Sequence, residues 1–176
     1  MSLSANLEFV YLHNSRLRLL ELIFHLSNDK TYTSKVIDFD EYSVIINDGN
    51  YKINIVKKDI IYVEPVKYVN IVDIDYISKT YYLAQENLKI KHIKPPIQDI
   101  FLNEVRKYRL PISLTFKDKT SFKGNIMGFD NFIILLDLDD KQCMVYKNNV
   151  LLVHPLNQTL EIIKYADERR YGNQGH

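Results

Sequence analysis

The clearest periodicity lies in the second half of the chain. Ile112, Leu114 and Phe116 alternate with polar residues, the period-two pattern of a half-buried strand. Asp118-Lys119 supplies a turn. Phe122, Ile126 and Phe129 fall on a long second strand interrupted by Gly124, and a glycine inside a strand marks a sharp bend or bulge. Asp130-Asn131 turns into the apolar run Phe132–Leu136, a buried strand. After the acidic turn Asp137–Asp140, Met144–Tyr146 reads as strand four, Asn148-Asn149 as a tight turn and Val150–Val153 as strand five. Upstream, Phe101, Leu102 and Val105 follow Asp99 at helical spacing, and Pro111 ends that helix near Arg109.

The first half follows the same plan. A helix is expected over about residues 8–19 and strands near 22–27, 31–39, 42–46, 51–56 and 60–63, with Asn47-Asp48-Gly49-Asn50 as a hairpin turn. Identities reinforce the match: Phe39-Asp40 recurs as Phe129-Asp130, Tyr42 as Phe132, Lys57 as Lys147, and Val63-x-Pro65 as Val153-x-Pro155, ninety positions apart without a gap. Ser34 replaces the bend glycine of the second copy. A repeat of about 55–60 residues is too long for a solenoid and right for a very small domain. The chain is expected to be mainly β: two five-stranded, strongly bent β-barrels, each preceded by an N-terminal α-helix, over residues 7–66 and 97–156. Residues 67–96 join them as a partly ordered linker. That linker is too rich in tyrosine and β-branched residues for a flexible tether, with a strand expected at Val69–Ile74 and a short helix at Ser78–His92. Residues 157–176 read as an amphipathic helix and tail carrying Leu160, Ile163 and Tyr165. Small bent units of this kind leave unpaired strand edges. Pairing strand four of one unit with strand five of the next, until a ring closes, removes them. The apolar edges Met144-Val145 and Leu151-Leu152 suit such a ring.

Composition narrows the picture. Of 176 residues, 46% are hydrophobic and 26% charged, which excludes a disordered chain. The net charge of +1 denies any whole-chain argument for a polyanion partner, so nucleic-acid binding has to come from local patches. The single cysteine, Cys143, reads as an inert strand residue and fits a reducing compartment. With no apolar run near about 18 residues and no secretory signal at the start, a cytoplasmic protein without membrane partners is expected. Five glycines argue against phosphate-cradling loops. His13, His25, His92 and His154 have no metal-ligand spacing, and no nucleophilic triad or P-loop is present, so neither an enzyme, a cofactor nor a metal is expected.

The second copy closely resembles Hfq, the bacterial Sm-like RNA chaperone family. The matching residues are Gln98-Asp99-x-Phe101-Leu102-Asn103, Arg106-Lys107-Tyr108-Arg109-Leu110-Pro111-Ile112-Ser113, Gly124-x-Ile126-x-Gly128-Phe129-Asp130-Asn131 with Phe132–Leu136, and Met144-Val145-Tyr146-Lys147-Asn148. The resemblance implies Sm-like barrels in a six-unit ring that binds RNA on three surfaces and pairs small regulatory RNAs with mRNAs. For the proximal, pore-side face it implies U-rich single-stranded RNA, with Phe132 stacking on a base beside Gln98, Asn131, Tyr146 and Lys147. Asn148 stands where the family has a histidine. For the rim it implies an arginine patch, Arg106, Lys107 and Arg109. For the distal face it implies A-rich RNA, with Phe122 and Lys123 as candidates, although Thr115, Lys119 and Thr120 depart from the family pattern. In the first copy, Tyr42 corresponds to Phe132, Lys57-Lys58 to Lys147-Asn148, and Arg16 and Arg18 to the rim, while Glu41 replaces an amide.

The physical chemistry of these residues stands without the family. A base gains about 1–3 kcal/mol from an aromatic face, nearly independent of sequence, an amide reads its edge and a lysine meets its phosphate. The first copy (residues 1–66) carries seven basic and nine acidic residues, which suits a protein-interaction scaffold as the alternative function. A homo-oligomer of three chains in a pseudo-hexameric ring and one of six chains both fit the pattern.

Overall fold

The computed structural model describes residues 6–73, 97–138 and 141–156, with residues 97 and 98 described by their backbone alone. The first copy contains α1 (Leu7–Leu17), β1 (Glu21–Leu26), β2 (Thr31–Phe39), β3 (Ser43–Asp48), β4 (Tyr51–Val56) and β5 (Ile60–Pro65). The second contains α2 (Ile97–Lys107), β6 (Pro111–Phe116), β7 (Ser121–Phe129), β8 (Ile133–Asp137), β9 (Gln142–Tyr146) and β10 (Val150–Pro155). A short 3-10 turn, Lys57–Asp59 or Lys147–Asn149, precedes the last strand of each copy. Both helices end where a residue takes a left-handed conformation, Leu19 (φ 51°) and Arg109 (φ 50°), which turns the chain into the first strand.

All ten strands belong to one continuous sheet in the order β10-β6-β7-β8-β9-β5-β1-β2-β3-β4. Each copy is an antiparallel meander whose last strand folds back beside its first. The copies join where β5 pairs antiparallel with β9, Tyr62 opposite Val145 and Val63 opposite Met144. This is the strand-four-to-strand-five pairing read from the edges, and the structure places it inside one chain. The two ends of the sheet are β4 and β10.

The sheet bends hard where the long strands cross. Register shifts fall between Val36 and Asp38 and between Ile126 and Gly128. At Gly124 a Cβ would stand 2.6 Å from the Asp137 carbonyl oxygen, a clash with backbone that cannot move aside. The first copy meets the same crossing with Ser34, whose hydroxyl donates to the Asn47 carbonyl and accepts from the Asn47 amide at 3.1 Å. The first copy thus makes with serine hydrogen bonds the crossing that the second makes by close approach, where the Asp137 carbonyl and the Leu138 side chain leave no room for a Cβ.

Two apolar cores run across the junction. The first gathers Leu7, Tyr11, Leu12, Leu22, Phe24 and Ile46 but also takes Ile133, Leu135, Met144 and Tyr146 from the second copy. The second gathers Leu102, Ile112, Leu114 and Phe116 and takes Ile61 from the first. Phe39 and Phe129 are half-buried and pack against the edges of these clusters.

The segment after β5 corrects the expectation of a strand at Val69–Ile74: through residue 73 it is irregular. Its backbone amides go to a side chain instead of a neighbouring strand. Ile71 and Val72 donate to Gln142 Oε1 at 2.7 and 2.9 Å, and Gln142 Nε2 returns a bond to the Val72 carbonyl at 3.0 Å. Asn14 Nδ2 holds the Ile71 carbonyl at 2.9 Å, and Tyr11 donates its hydroxyl to the Gln142 carbonyl at 3.0 Å. The segment therefore ties α1 to β9 over the junction. The helices expected at Ser78–His92 and in residues 157–176 lie outside the described residues. Because Gln142 is buried and fully bonded, Gln142→Leu leaves two amides and a carbonyl without partners. We expect it to destabilise the chain by about 2–3 kcal/mol, measured by denaturant unfolding.

Candidate nucleic-acid interface

Each copy presents one aromatic ring to solvent from the turn between its second and third strands. In the first, Asp40 Oδ1 accepts the amides of Tyr42 and Ser43, both at 2.7 Å. In the second, Asp130 Oδ1 accepts Phe132 and Ile133 at 2.7 and 2.8 Å. These bonds to the charged form hold the Asp40 carboxyl below its ordinary pKa. They also point the next residue outward: Tyr42 is 71% and Phe132 61% exposed. Both rings are thus turned to solvent and belong to neither core.

Beside each ring lies a lysine. The Lys57 amide donates to the Tyr42 carbonyl at 2.9 Å and the Lys147 amide to the Phe132 carbonyl at 2.8 Å, which fixes the 3-10 turns against the exposed aromatic residues. Both ammonium groups are tied. Lys57 pairs with Glu8 Oε1 at 3.0 Å, and Lys147 with Asp99 Oδ1 at 3.2 Å. Lys57 lies 5.8 Å from the centre of Phe39 and Lys147 5.0 Å from that of Phe129. The free cation expected at Lys57 is thus held in a buried ion pair, whereas Lys58 is exposed. Asn148 Nδ2 donates to the Lys58 carbonyl at 3.0 Å, so the tips of the two 3-10 turns touch across the junction.

The junction itself is polar at this face. Asp130 Oδ2 accepts the Leu7 amide at 2.9 Å and the Glu8 amide at 3.4 Å, so an acid of the second copy caps the helix of the first. Tyr146 is buried, and its hydroxyl donates to Glu8 Oε1 at 2.6 Å. Burial first, and Glu8 next, push the Tyr146 phenol well above its ordinary pKa. Its hydroxyl is committed to the seam. Asn131 is exposed beside Phe132. The Gln98 side chain lies outside the described residues.

The two rims differ. Lys107, Tyr108 and Arg109 are exposed on the second copy, with the Lys107 ammonium 5.1 Å from the Tyr108 ring centre. Arg106 is half-buried, 3.5 Å from Asn103 Oδ1. On the first copy, Arg16 pairs with Asp38 at 2.8 Å and Arg18 donates to the Asn70 carbonyl at 2.6 Å. The positions of Lys107 and Arg109 are taken there by Leu17 and Leu19, both exposed. On the opposite face, Lys123 is exposed, but the Phe122 ring is packed edge-on against Tyr62 at 4.4 Å and Phe116 at 5.1 Å. Tyr62 in turn stacks on His25 at 3.9 Å, so this aromatic cluster crosses the junction.

The sequence reading gave no site role to Glu8, Asp99 or Asp130. The ninety-residue spacing applied to the helices places Glu8 opposite Gln98, and that was the available signal. Among the described residues no group of acidic, histidine or cysteine side chains is arranged to hold a metal ion. Burial lowers the His25 pKa, while the Glu64 hydrogen bond pulls it up. A neutral His25 therefore adds stability above its unfolded pKa of about 6.5, and that stability is lost as pH falls toward the lower folded value. The melting temperature is expected to drop more steeply below about pH 6.5 in the native protein than in His25→Gln, by calorimetry.

Comparison with known proteins identifies relatives of the second copy. A family model described as Hfq protein matches residues 97–160. An RNA-binding protein Hfq of Clostridium botulinum is 42% identical over 64 residues, covering 36% of this chain and 75% of the relative. One from Desulforamulus reducens is 45% identical over 65 residues, covering 36% of this chain and 81% of the relative. A crystal structure of the pleiotropic translational regulator Hfq aligns with 24% identity and a TM-score of 0.33, over 34% of this chain and 98% of that one.

Proposed function

The chain belongs to the Hfq family, and on that premise we propose that it is an RNA chaperone: a ring that binds U-rich single-stranded RNA and promotes pairing of small regulatory RNAs with mRNAs in the cytoplasm. The observation that carries this reading is the pair of solvent-facing rings, Phe132 and Tyr42, each clamped by an aspartate turn and backed by a lysine turn. Asn131 is positioned to read a base edge, and Gln98 and Lys147 complete the motif by sequence. Lys58 supplies a free cation for phosphate, with Asn148 beside it as a neutral donor. Tyr146 contributes by holding Glu8, and through it Lys57, in place.

The rim of the second copy serves annealing. Arg106, Lys107 and Arg109 bring cations to two strands at once and lower their mutual repulsion. Arg16 and Arg18 add less, since Asp38 and a backbone carbonyl already engage them. Phe122 and Lys123 mark the distal face. The packing of Phe122 against Tyr62 leaves that surface a weaker binder of A-rich RNA. Binding, local unfolding and charge neutralisation suffice, with no bond chemistry.

The assembly that fits best is three chains in a ring of six alternating units. The β5–β9 pairing already uses one edge of each copy, and β4 and β10 are the edges left over. Repeating the internal register at that spacing puts Leu152 opposite Ile55 and Val153 opposite Asn54 of the next chain. The exposed Leu151 and Leu152 are apolar edge residues that such a contact covers.

A scaffold function is favoured by one observation, the exposed Leu17 and Leu19 where the second copy has cations. Fluorescence anisotropy with labelled oligouridine separates the readings. Binding that weakens steeply with salt and falls about tenfold in Phe132→Ala is expected. Absence of binding at low salt overturns the chaperone. Lys107→Ala with Arg109→Ala is expected to leave oligouridine affinity within about twofold while slowing annealing of complementary strands about tenfold, followed by stopped-flow fluorescence.

A further inference from the structure

On the face opposite the exposed turns, an aromatic ring of the first copy is inserted against rings of the second. Tyr62 stands opposite His25 in the β1–β5 ladder, and the two rings stack with centres 3.9 Å apart and planes inclined by 17°. Phe122 of the second copy meets Tyr62 edge-on at 4.4 Å, and Phe116 lies 5.9 Å away, inclined by 26°. Tyr62 thus makes the contacts that a bound base makes with aromatic side chains. Tyr62 and Phe122 are both half-buried, so what each would offer a base is already used by the other.

The stack is pinned from both copies. Glu64, two residues along β5, places Oε1 3.2 Å from His25 Nε2 and accepts from Lys141 of the second copy on Oε2 at 3.2 Å. One carboxylate therefore orients the His25 ring and engages a cation that would otherwise meet a phosphate. The barrel does not require this arrangement. Ninety positions on, Thr115 stands for His25, Leu152 for Tyr62 and His154 for Glu64. Leu152 pairs with Thr115 in the β10–β6 ladder as Tyr62 pairs with His25, so the same strands close without either ring.

We propose that Tyr62 and His25 determine specificity as an internal plug: they fill the junction within each chain, refuse purine-rich single-stranded RNA on the Phe122 face, and so confine RNA to the face of Phe132 and Tyr42. A ring tethered in the chain is already ordered, whereas a free base has still to be immobilised, so the plug outcompetes it. The residues that the second copy carries at these two positions present no ring. Placed in the first copy, they free Phe122 for stacking. This rests on the RNA-binding reading and names the residues that set which face is used.

Fluorescence anisotropy of the full chain with labelled oligoadenosine and oligouridine tests it, with calorimetric unfolding and native mass as controls for the fold. His25→Thr with Tyr62→Leu is expected to raise oligoadenosine affinity about tenfold and to leave oligouridine affinity within about twofold. Adding Phe122→Ala to that pair is expected to abolish the gain, and Tyr62→Phe, which keeps the ring, to produce none. Should the pair fail to fold, Tyr62→Leu alone carries the test, with a gain of about threefold that Phe122→Ala again removes. A folded variant that gains nothing for oligoadenosine, or a gain that survives Phe122→Ala, overturns the plug while leaving oligouridine binding intact. Native protein that binds neither oligonucleotide at low salt overturns the RNA reading beneath it.

Discussion

The pairing of β5 with β9 is the contact on which the rest of the molecule depends. A five-stranded bent unit cannot satisfy its outer strands alone, and an unpaired edge is a standing invitation to aggregate. Here two units solve half of that problem for each other inside one chain. The contact is short in backbone terms, Tyr62 with Val145 and Val63 with Met144, but it is flanked on both faces. Above it lie Tyr11, Gln142 and the returning segment at Ile71-Val72. At the face that carries the exposed Phe132 and Tyr42 lie Asp130, Glu8, Lys57 and Tyr146. On the opposite face, His25, Tyr62 and Phe122 form an aromatic cluster. The cores follow, each borrowing side chains from the other copy.

These flanking groups make the junction directional. Tyr11 has Phe101 as its counterpart ninety positions on, Gln142 has Lys52, and Tyr146 has Val56. None of those counterparts can make the same hydrogen bonds, so the two copies cannot exchange places across a seam without leaving buried polar groups unpaired, at about 1–3 kcal/mol each. The doubling of the unit therefore does more than lengthen the chain. It creates a seam with two distinct sides and leaves the copies with unlike rims, Lys107 and Arg109 exposed on the second and Leu17 and Leu19 on the first.

Much of the fold was legible because the alternation of apolar and polar residues carries it directly. The bounds of β2 and β4 coincide with the pattern, and the remaining strands differ by one or two residues at their ends. The outward-facing rings were legible only through the family resemblance, because the apolar run alone put Phe132 in a buried strand, and it is the Asp130 turn that holds it outside β8. The linker misled because Val69–Ile74 has strand composition. Composition cannot register that a glutamine about seventy residues away in sequence takes the amides a neighbouring strand would take. For the same reason the state of Lys57 was hidden. A lysine pair in a turn is ordinarily solvated, and only the approach of α1, fixed by Asp130 from the other copy, brings Glu8 to it. Side-chain contacts between copies depend on how the sheet curves, and that is not written in any local pattern.

With the seam internal and directional, each chain contributes two units and one open edge at either end, so the proposed ring of six units would close with three chains. Native mass spectrometry of the full chain reads that number directly. Three chains per assembly is the predicted result. Six chains, or a chain that stays monomeric at micromolar concentration, would contradict it.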